Sequence, residues 1–91
     1  MRYRVSARFD RSVKRLDPMR RRRVQETIER LIAVFETGQR PHGVGLKLLG
    51  RGIWELRAGL SDRVLFLRQG DVVEFLLAGT HDDVKRFLKS G

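Results

Sequence analysis

Five polar residues stand among apolar neighbours in the second half of this chain: Lys47, Glu55, Arg57, Arg63 and His81. Three are cations, one is a carboxylate and one is an imidazole. Such a set could act on a phosphodiester. Cleavage by a neighbouring 2′-OH needs a base on the hydroxyl, positive charge on the developing phosphorane, and an acid for the leaving oxygen. His81 or Glu55 could be the base, Arg57 and Arg63 could hold the phosphate, and Lys47 could supply charge or a proton. This chemistry calls for no metal or other cofactor, and His81 with Glu55 and Glu74 would make a poor metal cluster. Plainer readings stand beside it. Glu55 and Glu74 could neutralise the arginines as cross-strand pairs, and a lone histidine can be purely structural.

Strands and helices must place these side chains. Residues 2 to 9 alternate Tyr3, Val5, Ala7 and Phe9 with Arg2, Arg4, Ser6 and Arg8, which predicts a half-buried strand. Asp10 is expected to cap a short helix that turns Val13 and Leu16 inward. Asp17-Pro18 opens a second helix, with Asp at the cap and Pro at the first helical position. Its apolar stripe is Val24, Ile28, Leu31, Ile32 and Phe35, and Gly38 is the expected stop. Arg20 to Arg23 oppose the helix dipole at its start, at ~0.3–1 kcal/mol each at most. They form either a solvated face or a knob that contacts phosphate or a partner. Gln39 to Gly45, with Pro41, His42 and Gly43, reads as an exposed loop.

Four strands are expected next, over about residues 45–49, 52–58, 62–68 and 71–79, with glycine-containing turns between them. Trp54 and Leu56 share one face of their strand, and Val64 and Phe66 one face of the next. Assigning these to the core leaves Glu55, Arg57 and Arg63 pointing outward. Arg57 and Arg63 flank a short turn, so the strands bring two guanidinium groups near each other. Val72 to Ala78 is almost wholly apolar and is expected to be central and covered on both faces. Residues 82–90 read as a helix, acidic at Asp82 and Asp83 and basic at Lys85, Arg86 and Lys89, with Val84, Phe87 and Leu88 on its apolar side. The expected fold is α+β: a mainly antiparallel four- to five-stranded sheet, two N-terminal helices packed on one face, and a short C-terminal helix.

Residues 1–91 make one small domain. The net charge is +9, and arginine supplies 16 of the 20 Lys and Arg residues. Such charge favours an acidic partner: nucleic acid, an anionic membrane surface or an acidic protein. Arginine tilts the choice toward phosphate, which its planar fork can grip bidentately. There is no cysteine, which excludes disulfides and thiolate metal sites and fits the cytoplasm. No apolar stretch approaches the ~20 residues needed to span a bilayer, and charges interrupt the N-terminus, unlike a signal peptide.

The chain resembles the RelE/ParE superfamily of toxin–antitoxin toxins. The matching pieces are Leu16-Asp17-Pro18 with the Arg20–Arg23 helix start, the Leu46–Leu49 strand, Trp54-Glu55-Leu56-Arg57, Asp62-Arg63-Val64-Leu65-Phe66, and Gly79-Thr80-His81 before an end helix. They follow the family's order across nearly the whole chain. The resemblance implies a small bacterial toxin that cuts mRNA in the A site of the 70S ribosome. It also implies a cognate antitoxin that wraps the toxin, in a toxin–antitoxin hetero-oligomer, and blocks its basic site. By position, Arg63 matches the family's arginine after the central hairpin, Arg57 the preceding basic position, Lys47 that of the earlier strand, and His81 the histidine of HigB-like and YoeB-like members. RNA contacts are expected at Lys47, Arg51, Arg57, Arg63, Arg20 and Arg21. Two positions depart from the pattern: Phe87 is the nearest aromatic to where such RNases often carry Tyr, and Asp82 follows the histidine in place of a basic residue. Two other readings stay open, a ParE-like inhibitor that binds DNA gyrase and a non-catalytic module that binds RNA or an acidic protein.

Overall fold

Ser6 sets how the chain begins. In a computed structural model, which describes residues 1–38 and 45–90, the first strand β1 is only Arg2–Val5. Ser6 then caps helix α1, Ala7–Lys14, its Oγ accepting from the Phe9 amide at 3.0 Å. A serine cap satisfies an amide that the helix start leaves orphaned. The strand expected over residues 2–9 therefore breaks at its middle, and the cap lies four residues before the expected Asp10. Phe9 becomes a buried helical residue instead of the end of a strand. Helix α2, Pro18–Thr37, starts as expected: Asp17 Oδ1 accepts from the Arg20 amide at 2.9 Å. It stops at Gly38, whose φ of 72° is left-handed and whose N–H donates to the Val34 carbonyl. The loop expected at Gln39–Gly45 lies outside the described residues, except for Gly45.

The remaining elements are β2 (Leu46–Gly50), β3 (Ile53–Ala58), β4 (Asp62–Gln69), β5 (Val72–Thr80) and helix α3 (His81–Ser90). The sheet order is β1-β5-β4-β3-β2. β1 runs parallel to β5, and the other neighbours are antiparallel. β5 is thus interior, but β4 is the middle strand. The fold is α+β with a mainly antiparallel sheet.

One face of the sheet packs under α1 and α2. Phe66 is its hub, with Phe35 edge-on at 6.2 Å, Trp54 stacked at 6.5 Å and Phe75 tilted at 6.1 Å between ring centroids. Val24 and Leu31 come down from α2, and Leu56, Val64 and Val73 come up from the strands. The opposite face is not bare. α3 folds back across β4 and β5 and sets Val84 and Phe87 on Leu65 and Leu77.

A bulge makes the two-sided arrangement work. Leu65 pairs with Leu77, but Phe66 pairs with Phe75, so Leu76 is an extra residue in β5. An extra residue reverses the alternation beyond it. Phe75 and Ala78 thus both face the α1–α2 core, while Leu76 and Leu77 both serve the α3 side. Among the described residues, no helix is long and apolar enough to cross a membrane.

Candidate functional site

The strand register gathers most of the predicted residues on one part of the α3-side face. Arg57 on β3 pairs directly with Arg63 on β4, and Lys47 on β2 pairs with Glu55 on β3. Directly paired residues share a face of the sheet. The four side chains therefore form one patch beside the area that α3 covers.

Within it the charges are not equivalent. Arg63 Nε donates to Glu55 Oε1 at 2.9 Å, and both side chains are only 14% exposed. Glu55 therefore chooses the diagonal Arg63 over the directly paired Lys47, which makes no ion pair with a described residue. Arg57 is exposed, and its stem lies close over Gly45, where a Cβ would come within 3.1 Å of Arg57 Cβ. Its guanidinium forms no ion pair or hydrogen bond with another described residue. The cross-strand neutralisation considered from sequence thus occurs for Arg63 and leaves Arg57 and Lys47 uncompensated. Glu74, the other carboxylate considered for this task, pairs in register with Arg4 and Leu67 and forms no ion pair among the described residues.

His81 follows the end of β5 that lies beside Arg63. Arg63 pairs with Gly79, two residues before it. His81 is the first residue of α3, one position earlier than the expected helix start, and its exposed ring bonds to no other described residue. The turn that presents it is a reciprocal cap. Asp83 Oδ2 accepts from the Thr80 amide at 2.9 Å, and Thr80 Oγ1 accepts from the Asp83 amide at 3.2 Å. This is the capping-box arrangement, with Asp in the acidic role. The Thr80 amide, followed by the Thr80 hydroxyl and Arg86, holds the Asp83 carboxyl below its ordinary pKa. Gly79 admits the cap because a Cβ there would meet Asp83 Oδ2 at 2.6 Å.

The other predicted cations lie elsewhere. Arg51 is exposed at the tip of the β2–β3 hairpin, with a left-handed φ of 53°. Arg20 grips Asp62 bidentately, Nε to Oδ2 at 2.9 Å and Nη2 to Oδ1 at 2.6 Å. Asp62 is 1% exposed at the head of β4, so this pair ties α2 to the sheet. Arg21 donates to the carbonyls of Val13, Lys14 and Leu16 at the end of α1, where carbonyls lack the helical partners of the interior. Neither Arg20 nor Arg21 touches the sheet-face patch. Among the described residues, no three His, Asp or Glu side chains converge as metal ligands.

Sequence reasoning passed over a second basic surface. Arg8 and Arg11 of α1 and Arg15 at its cap recur at helical spacing and line a cleft with Arg20 and Arg86. Their spacing is the signal, but it is readable only if the helix begins near Ala7.

No family model and no curated protein matches this sequence. Solved structures do match in shape. A chain of the RelB–RelE antitoxin–toxin complex from Methanococcus jannaschii superposes with a TM-score of 0.72 at 14% identity, over 92% of this chain and 96% of that one. The fold is that of the RelE-like toxins. The Escherichia coli DinJ–YafQ complex gives 0.65 at 15% identity, over 92% and 98% of the two chains. The archaeal RelE–RelB complex of Pyrococcus horikoshii gives 0.63 at 21%, over 87% and 92%. Each likeness spans nearly both chains, so the RelE-like fold accounts for the sheet, the two packed helices and α3 together.

Proposed function

We propose that this chain is the toxin of a toxin–antitoxin pair and that it cuts mRNA in the ribosomal A site. The observation that carries this reading is the Arg57–Arg63 pairing on an open sheet face, with Lys47 and Glu55 in the same patch and His81 after the strand end beside Arg63. Glu55 already neutralises Arg63, so the charge open to an outside anion is that of Arg57 and Lys47, and a scissile phosphate is such an anion. Arg57 and Lys47 would hold its oxygens. Arg63, oriented by Glu55, would meet the charge that builds on the phosphorane. His81 would take the proton from the 2′-OH. The 2′-oxygen then bonds to phosphorus, the bond from phosphorus to the 5′-oxygen breaks, and a proton returns to that leaving oxygen. The products are a 2′,3′-cyclic phosphate and a free 5′-OH. The chain would work in the cytoplasm and be held in check by an acidic antitoxin laid over the basic patch, a partner suggested by the antitoxin-bound complexes that share the fold.

The Arg63–Glu55 ion pair also favours a second reading. A cation already neutralised and 14% exposed suits recognition as well as catalysis, and a gyrase inhibitor acting by binding would need no proton carrier. Induced expression separates the two. Primer extension on mRNA from a translating extract should show new 5′ ends within codons, which co-expression with the antitoxin abolishes. Intact mRNA together with loss of gyrase supercoiling would replace the nuclease with the inhibitor.

A further inference from the structure

β1 covers only half of β5. It pairs as far as Phe75 and stops, leaving the edge from Leu76 to Thr80 without a strand partner. α1 closes this edge with two serines. Ser6 Oγ donates to the Leu76 carbonyl at 3.3 Å, and Ser12 Oγ accepts from the Ala78 amide at 3.0 Å. A cleft of about 380 Å3 remains here between α1, the start of α2 and α3. Leu16, Leu77 and Ala78 form its apolar part.

Its rim is strongly basic. Arg8 and Arg11 project from α1 and Arg15 from the residue that caps its end, facing Arg20 of α2 and Arg86 of α3, with Asp83 the one acid in the lining. Two of these five have local partners, Arg20 on Asp62 and Arg86 on Asp83. Arg8 Cζ lies over the Phe87 ring, 4.6 Å from its centroid. A cation–π contact occupies no carboxylate, so the Arg8 N–H groups can still donate to an anion. Arg11 and Arg15 have no side-chain partner among the described residues. Three arginines without a carboxylate therefore surround one concavity, where an apolar wall strengthens their field.

We propose that this cleft binds a compact ligand bearing two or three adjacent phosphates, such as a nucleoside triphosphate or inorganic triphosphate. This site goes beyond the proposed nuclease and does not depend on it, because none of its residues belongs to β2, β3 or β4. Arginine forks match phosphate oxygens bidentately, and donors from three elements around a concavity suit a short branched anion better than a flat backbone track.

Isothermal titration of the full chain with inorganic triphosphate, with ATP and with a short single-stranded RNA lacking terminal phosphates tests the assignment at constant ionic strength. Triphosphate should bind wild type and Arg2→Gln alike, since Arg2 is exposed and lies outside the cleft. Arg11→Gln/Arg15→Gln should lose at least about tenfold in affinity while melting at the wild-type temperature without ligand. If the double variant melts early, Arg11→Gln alone, at an exposed position, carries the comparison. Tighter binding of ATP than of triphosphate would identify a nucleotide as the source of the phosphates, and equal binding a free oligophosphate. The assignment fails if triphosphate does not bind, if the α1 variants bind it as wild type does, or if those variants lose only RNA.

Discussion

In the proposed reaction Arg63 would serve both fold and chemistry. It is held by Glu55 and mostly covered, yet it lies on the face that leaves the core. Arg63→Ala should lower the melting transition, because it leaves the mostly covered Glu55 carboxylate without its partner. It should reduce mRNA cleavage in the still-folded variant by ~10²-fold, the loss of about 3 kcal/mol expected when one preorganised charge donor is removed. Arg57→Ala should cost less, because an exposed guanidinium that positions a phosphate can be partly replaced by Lys47. His81→Gln should slow cleavage by ~10²–10⁴-fold and spare RNA binding, since its proposed task is proton transfer alone. Primer extension reads the cutting, filter binding reads the affinity, and a circular dichroism melt guards against a folding defect. Folded Arg63→Ala and His81→Gln variants that cut like wild type would remove this site from consideration. At this scale much was legible, because period-two alternation put Glu55, Arg57 and Arg63 on one face. The choice of Glu55 for Arg63 was not, since it depends on a diagonal offset between strands that alternation leaves undetermined.

Two contacts hold elements together, and each makes a prediction. The Asp62 carboxylate is buried, and its one side-chain partner among the described residues is Arg20. Arg20→Ala should strand that carboxylate and destabilise the fold by roughly 3 kcal/mol, toward the low end for a buried pair because Arg20 keeps some contact with water. Arg20→Met/Asp62→Leu should recover most of the loss, since replacing both partners removes the unpaired charge. Urea denaturation of the two variants checks this, and a double variant no more stable than Arg20→Ala would show that the pair is not the cause. The second contact is the Thr80–Asp83 cap. Its carboxyl has a pKa lowered by folding, so its contribution is full above the ordinary carboxylate range and is lost as the pH falls through the folded value. Asp83→Asn should lower stability at pH 7 by at most about 1 kcal/mol, because the carboxylate is partly exposed. The gap from wild type should close as the pH falls below about 4, as melts across pH would show. These elements also mark the limits of reading a sequence. Asp17-Pro18, the α2 stripe and Gly38 were legible because their signals are local. Ser6 was missed because a strand pattern ran through it. The Arg20–Asp62 tie was invisible because its partners lie 42 residues apart. The placement of α3 on the second face follows from a bulge at Leu76 that no local pattern announces.

Across the whole molecule, the charge is excessive for one small fold to balance internally. The net charge is +9, and the described ion pairs use up four cations. Most arginines among the described residues therefore form no ion pair, and the proposed function would supply the missing anions as RNA phosphates or antitoxin carboxylates. Their distribution makes this testable, because the sheet-face patch and the α1 cleft share no residue. RNA affinity should fall linearly with salt on a log–log plot, with a slope of about −0.7 for each phosphate neutralised on a single strand. Each lost phosphate contact should make the slope shallower by about 0.7. Lys47→Gln and Arg57→Gln should each flatten it if the patch lies along the backbone. Arg2→Gln should not: Arg2 is exposed and its ion pair with Asp71 is at the far edge of the sheet. Equal flattening by all three would mean that RNA senses only net charge, and the patch would lose its claim to be a binding surface.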